Sequence, residues 1–324
     1  MTQLKTTFAG LSLRNPIIIS SSSLTNSAEK NKKLKLAGAG AIVLKSVFEE
    51  QIMMEAHHMA TYGSPEGDDY LSTYVRSHAL NEYISLIEQT KKLCTIPVIA
   101  SINCFSNSEW TDFARTVEAA GADALEINIL SLQTEKEYQY GSFEQRHIDI
   151  VSSIKKQISI PVIVKLGSNL TNPIALINQL YANGANAVVL FNRFYQPDIN
   201  IDTMTYSAGD VFSTPADLSN GLRWTAIASA QVPQTDYAIS GGVHDGKAIV
   251  KAILAGASAV ELCSVIYQRG NQVIADMTNE MTQWMNRQGY KDISEFKSSM
   301  NALSTGASNP FERTQFMKYF SSKE

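Results

Sequence analysis

The chain has 324 residues, 44% hydrophobic and 18% charged, with a formal charge of −4, which is the composition of a globular protein with ample core and excludes a disordered chain. The acidic balance argues against a surface built to neutralise nucleic-acid phosphates, and three scattered cysteines, Cys94, Cys104 and Cys263, exclude a disulfide framework, an iron–sulfur cluster or a zinc knuckle. No run approaches the ~18 apolar residues of a membrane span and the opening MTQLKTTFAG lacks signal-peptide character, so a soluble, cytoplasmic protein with neither a membrane nor a nucleic-acid partner is expected.

In chain order, the first apolar run is NPIIIS from Asn15, followed by a helical stretch near 27–38. GAGAIVL from Gly38 opens a phrase that recurs as GADALEI from Gly121, GANAVVL from Gly184 and GASAVEL from Gly256. Its glycine stands where a helix should stop, and the run after it is a buried strand. IPVIAS from Ile96 and IPVIVK from Ile160 alternate with the repeats, and DYAIS (236–240) supplies the missing eighth strand. Further helical stretches are expected near 78–94, 108–120, 144–157, 173–183, 218–230 and 245–255.

Eight buried strands alternating with helices predict a parallel sheet covered by helices, and the count favours a closed (β/α)₈ TIM barrel. A doubly wound open sheet would usually carry a GxGxxG turn after its first strand, where this chain has SSSSLTNS. One barrel domain over residues 1–300 is expected, with 301–324 as a C-terminal appendage. Two excursions, Val47 to Ser77 and Arg193 to Asp217, leave the carboxyl ends of the second and sixth strands and are candidate lids.

The carboxyl ends of the strands line up a polar ring: Ser20 and Ser21, Lys45 and Ser46, Ser101 with Asn103, Asn128, Lys165, Asn192, Ser240 with Gly241 and Gly242, and Cys263 with Ser264. No cluster of carboxylates faces the two lysines on this reading, which points to an anionic or electron-rich ligand. Glycines in SGGVHDG, after the seventh strand, suit a phosphate held between the last two loops. Lys165 follows four apolar residues and is costly to bury without an anion or polar ring to meet, and its place at the carboxyl end favours a functional role over a lysine snorkelling to the rim. In ALEIN, Glu126 and Asn128 share one face and should point inward. His57 and His58 diverge on a helix, and GxSxG and HExxH are both absent, so neither a metal site nor triad hydrolysis is expected.

These strands, together with FEEQI, LFNRFYQPDI, STPADL and LRWTAI, resemble the dihydroorotate dehydrogenase family of FMN-dependent barrels over about residues 4–300, and within it a divergent soluble branch. The resemblance implies FMN across the barrel mouth. Ser20, Ser21, Lys45, Ser46, Asn128 and Lys165 would meet the ring and ribityl chain, with Asn103 beside them. Gly241, Gly242 and Ser264 would hold the phosphate, flanked by Ser240 and Cys263, and Asn192 would bind a pyrimidine substrate.

The implied reaction, a step of pyrimidine biosynthesis, oxidises dihydroorotate to orotate. A hydride leaves C6, a base at Ser131 takes the C5 proton, and Lys165 stabilises the charge gained by the cofactor. Leu132 and Gln133 stand where the family motif around that base has proline and asparagine nearby. A homodimer using a soluble acceptor such as fumarate is implied. The alternatives are a barrel that binds flavin or a phosphate ligand without oxidising dihydroorotate, and a barrel aldolase or isomerase with Lys165 as a Schiff-base lysine.

Overall fold

A computed structural model describes residues 2–48, 54, 68–103 and 107–304. The chain enters through a short antiparallel hairpin, β1 (Thr6–Phe8) and β2 (Leu11–Leu13). Strands β3 (Ile17–Ile19) and β4 (Ala41–Val43) follow, joined by helix α1 (Ala28–Leu36). A two-residue strand β5 (Val47–Phe48) adds to the end of β6 (Val98–Asn103), and helix α2 (Asp68–Leu93) runs between them.

Helices then alternate with strands: α3 (Asn107–Ala119), β7 (Ala124–Asn128), α4 (Ser142–Lys155), β8 (Val162–Gly167), α5 (Pro173–Ala182) and β9 (Ala187–Asn192). An antiparallel hairpin of β10 (Pro197–Asn200) and β11 (Thr205–Ala208) precedes α6 (Leu218–Gln231). Last come β12 (Asp236–Ser240), α7 (Gly246–Ala255), β13 (Ala259–Leu262), α8 (Ser264–Arg269) and α9 (Val273–Gln288).

Strands β3, β4, β6, β7, β8, β9, β12 and β13 pair in parallel around a ring, and β13 returns to β3 with Val260 opposite Ile17. This is the expected (β/α)₈ barrel, on all eight expected strands. The repeated phrase explains its layers, because the side-chain period of a strand is two. Residues at the fifth and seventh places of the phrase, such as Ile42, Leu125, Val188 and Val260, face outward and pack on the helices. Buried on that scale, each large aliphatic side chain contributes roughly 1.5–3 kcal/mol.

The inward residues make a second, separate cluster. Its lowest layer is four alanines, Ala41, Ala124, Ala187 and Ala259, one from each repeat, and their small size admits Phe8 and Leu13 of the first hairpin. The hairpin is held in place where the backbone N–H of Ala9 donates to Asp236 at 2.9 Å and Thr6 Oγ1 donates to the Ser258 carbonyl at 3.0 Å. The amino end of the barrel is thereby plugged. The leading glycine ends the preceding helix as expected; Gly256 caps α7 at φ +116°.

The structure differs from expectation in several places. Helix α2 begins at Asp68, ten residues before the expected start, so the end of the first excursion, 68–77, is helical. Residues 49–53 and 55–67, including Met53, His57, His58 and Met59, fall outside the described residues, as do Cys104 and 305–324 of the appendage. The second excursion carries the β10–β11 hairpin, and its two ends are tied by Arg193 and Asp217 at 2.9 Å. His244 lies just ahead of α7, which Asp245 caps, and its Nε2 meets Ser213 Oγ at 3.0 Å.

Candidate active site

Two residues above the alanine layer the barrel interior is still apolar at Val43 and Val189, but the same place in the other two repeats holds Glu126 and Glu261. From there upward the interior is polar. Ser101 is fully buried, Lys165 is 4% exposed, and Asn103 and Asn128 are each 8% exposed. Ser101, Asn103, Asn128 and Lys165 of the expected ring are thus buried together, and three hydrogen-bonded groups organise the interior around them.

In the first, Ser46 Oγ contacts Ser21 Oγ at 2.9 Å and Ser101 Oγ at 2.7 Å, linking the first three barrel strands. The buried Tyr83 hydroxyl of α2 anchors this chain, donating to the Ser101 carbonyl at 3.0 Å and accepting from its N–H at 2.7 Å. The second group is a pair: Asn192 Nδ2 donates to Asn128 Oδ1 at 2.7 Å. In the third, Lys165 Nζ donates to Glu261 Oε2 at 2.6 Å and to Ser20 Oγ at 2.9 Å, and Ser20 donates to the same carboxylate at 2.9 Å. Glu126 Oε1 is 3.9 Å from Nζ.

This third group corrects the expectation that no carboxylates face the lysines. Reading only strand ends overlooks Glu261, which sits inside β13 yet reaches Lys165 across the barrel axis. Lys45 stands apart from Lys165. It lines a cavity of ≈ 550 Å³ between α1 and α2, with Ser46, Glu82 and Gln89.

A second cavity of ≈ 540 Å³ opens beside the Asn pair and is lined by Asn192, Arg193, Asn169, Leu132, Ser240 and Gly241, among others. Gly241 and Gly242 both have positive φ, +92° and +74°, but they differ in surroundings: a Cβ on Gly241 would meet nothing within 4 Å, whereas one on Gly242 would sit 2.1 Å from the backbone N of Leu218. Ser264 Oγ accepts from the Ser213 N–H at 2.9 Å. Cys263 is a free, half-buried thiol whose pKa burial raises. Ser131 is half-buried; its Oγ accepts from Gln133 Nε2 at 3.2 Å, and its carbonyl is held by Asn169 at 3.1 Å. Among the described residues no group of His, Cys, Asp and Glu could hold a metal ion, and no helix is long and apolar enough to cross a membrane.

The family model for dihydroorotate dehydrogenase matches residues 3–285. The chain belongs to the dihydroorotate dehydrogenase family. It is 27% identical over 305 residues to the protein named dihydroorotate dehydrogenase B (NAD(+)), catalytic subunit, of Thermoplasma volcanium, covering 91% of this chain and 97% of that one. The protein of the same name from Methanocella arvoryzae is 29% identical over 272 residues, 80% and 85% of the two chains. NAD-dependent dihydropyrimidine dehydrogenase subunit PreA of Escherichia coli is 22% identical over 311 residues, 90% and 75% of the two chains. Family membership makes this chain an oxidoreductase of CH–CH bonds.

In that setting the charges of the third group matter. Burial works against the charge of Lys165, but Glu261 and then Glu126 outweigh it and hold the ammonium above its ordinary value. Burial, and next the neighbouring Glu261, push Glu126 well above the usual 4.5, against the pull of Lys165. Burial also acts to raise Glu261, but Lys165 and hydrogen bonds from Glu126, Lys165 and Ser20 outweigh it and hold its pKa below 4.5. Both oxygens of Glu126, and Oε1 of Glu261, lack a donor when treated as carboxylate. A proton on Glu126 donated to Glu261 would pair two of these three oxygens.

Glu126→Gln tests that assignment on the protein without any ligand. Between pH 4.5 and the raised folded value, the unfolded chain loses the Glu126 proton and the folded chain keeps it, so wild-type stability falls as pH rises. Glutamine removes that slope. Denaturant midpoints should show the variant gaining on the wild type from pH 5 to pH 8; a constant difference would mean that Glu126 is ionised in the fold.

Proposed function

We propose that this chain is an FMN-dependent oxidoreductase that converts dihydroorotate to orotate or acts on a related small cyclic compound. The observation that carries the reading is Lys165: a buried ammonium with three N–H donors, two of them engaged by Ser20 and Glu261, beside the Asn128–Asn192 pair. Its remaining donor suits an electron-rich ring at the barrel mouth. The open backbone face of Gly241 suits a phosphate, so the residues present fit the cofactor. FMN, when bound, supplies the acceptor for the hydride.

The chain's residues would do the rest. Ser20, Ser21, Lys45, Ser46, Asn103 and Asn128 would orient the ring and its side chain with Lys165, and Ser240, Gly241, Gly242, Cys263 and Ser264 would seat the phosphate. Asn192 would hold the substrate, and Ser131 would take the proton from the carbon next to the one that gives up hydride. A homodimer is part of the proposal, and the β10–β11 hairpin, with Ile199, Ile201, Met204 and Tyr206 at 61%, 82%, 87% and 85% exposure, offers apolar surface for it. The acceptor would be NAD(+), by analogy with the relatives' names, or a soluble compound such as fumarate.

A second reading, a barrel that binds flavin without oxidising dihydroorotate, draws support from Leu132, a 57% exposed leucine lining the second cavity beside Ser131. Anaerobic titration separates the two. Dihydroorotate should bleach the flavin absorbance of the purified protein, and Ser131→Ala should slow that bleaching by roughly 10²–10⁴-fold. Bound flavin that dihydroorotate leaves oxidised would favour the second reading. An unchanged rate in the variant would remove Ser131 as the base, and a protein releasing no FMN on denaturation would remove both readings.

A further inference from the structure

Glu261 has no place in the roles assigned above, yet it makes the shortest contact to the most deeply buried cation of the site, 2.6 Å from Lys165 Nζ. Glu126 approaches the same Nζ from β7, at 3.9 Å. Both carboxyls are almost fully buried, at 1% and 2% exposure, and neither reaches the mouth of the barrel. Among the described residues, the polar or titratable groups around this cluster include Ser20 after β3, Ser101 of β6 opposite Glu126, Asn128 of β7 opposite Lys165, Tyr83 of α2 and Cys263 after β13. Burial raises the pKa of the Tyr83 phenol and of the Cys263 thiol, so both stay neutral around pH 7. Among the described residues, the charge beneath the mouth therefore comes from one ammonium, two carboxyls and one proton between those carboxyls.

We propose that Glu126 and Glu261 form a single-charge counter-ion pair for Lys165: one carboxyl is ionised and the other holds the proton, and either can take the ionised role. The pair thereby fixes the net charge beneath the cofactor and sets how readily it accepts electrons. The inference rests on the flavin reading above. Its physical basis is that two ionised carboxylates this close in a buried site repel strongly, whereas one carboxylate and one acid share a hydrogen bond. The exchange moves only a proton between two oxygens, together with a small lean of Nζ from one carboxyl toward the other. Both glutamates act through Lys165 and are positioning residues.

Redundancy gives the pair a signature that an ordinary structural role lacks. With Glu261→Gln, the loss of the neighbouring negative charge lets Glu126 ionise and take over. With Glu126→Gln, Glu261 is already the carboxylate. Only the double variant leaves Lys165 unopposed.

The test is the midpoint potential of the bound flavin at pH 7, read by equilibration with a reference dye in the holoenzyme. Each single variant should keep the ratio of oxidised to reduced flavin at a given potential within about threefold of wild type. The double variant should move it at least about tenfold toward reduced, roughly 30 mV for two electrons. Such non-additivity marks groups that act as one unit. Single effects that sum to the double effect, or a double variant at the wild-type potential, would overturn the pair.

Should the double variant fail to fold, Glu261→Gln alone decides, because a fixed charge on Glu261 requires the tenfold change in that single variant. A purified protein without flavin would defeat the functional reading but still test the pair. Cofactor-free stability at pH 7 should then fall far more in the double variant than the two single losses sum to, and additive losses would defeat it.

Discussion

Replacing Lys165 with methionine is expected to lower kcat/KM of the flavin-loaded enzyme by roughly 10²–10³-fold, the range seen when one preorganised charge-stabilising donor is removed from a buried site. The same change should destabilise the fold by about 3–5 kcal/mol, the cost of leaving a buried charge without its partner. Methionine fills similar volume, so a cavity is a minor part of that cost.

The uncompensated group is Glu261, whose folded pKa is held below 4.5 only because the Lys165 ammonium and its hydrogen bonds outweigh burial. In wild type that group contributes stability above pH 4.5, and the contribution fades as pH falls through its folded value. The deficit of Lys165→Met should therefore be fully present at pH 7 and shrink in acid, where Glu261 protonates in both proteins. Urea midpoints at pH 7 and pH 4 check the sign, and an equal deficit at both would mean that packing dominates. Flavin reduction at the wild-type rate in the variant would show that the lysine is structural alone.

The second large effect concerns two adjacent glycines that sequence alone treats as one motif. Gly242→Ala places a Cβ 2.1 Å from the N and 2.6 Å from the Cα of Leu218, at a φ of +74°. Neither neighbour is a flexible side-chain end, and Leu218 opens α6 with its side chain buried. The left-handed backbone costs roughly 1–2 kcal/mol and overpacking another ~1–3 kcal/mol, so the variant should lose several kcal/mol. Gly241→Ala bears the first cost only, because its Cβ meets open space.

That open space is where the phosphate is proposed to sit. Gly241→Ala should thus weaken FMN binding by at least tenfold while thermal denaturation shifts little, whereas Gly242→Ala should shift denaturation strongly. Fluorescence titration of FMN against each cofactor-free variant separates the two, and a Gly241→Ala protein with wild-type affinity would remove the phosphate from that turn.

The eight strands were legible because a strand buried on both faces leaves a continuous apolar run, and the glycine before four of them repeats in a fixed frame. Glu261 was legible too, although the reading passed over it. It occupies the sixth place of GASAVEL, as Glu126 does in GADALEI, and that shared place predicts two carboxyls at one height in the barrel. The network across the axis could not be read from sequence, since it depends on which strands stand opposite one another.

Helix α9 lies beyond the eight-strand frame, yet Val273, Ile274, Met277, Met281 and Met285 form a buried stripe at helical spacing that the sequence displays. The first hairpin had only three residues per strand to announce itself, too few for a period to show. The β10–β11 hairpin is exposed at every strand position, so no alternation of apolar and polar residues marks it.

The plug of Phe8 and Leu13 against the four alanines bears on traffic. With that end occupied, the two cavities that reach the polar ring, one between α1 and α2 and one beside the Asn128–Asn192 pair, both lie toward the carboxyl ends of the strands. On the proposed chemistry a reductant and an oxidant would therefore approach the ring from one side of the molecule, and the small hairpin that touches neither of them sets the direction of that approach.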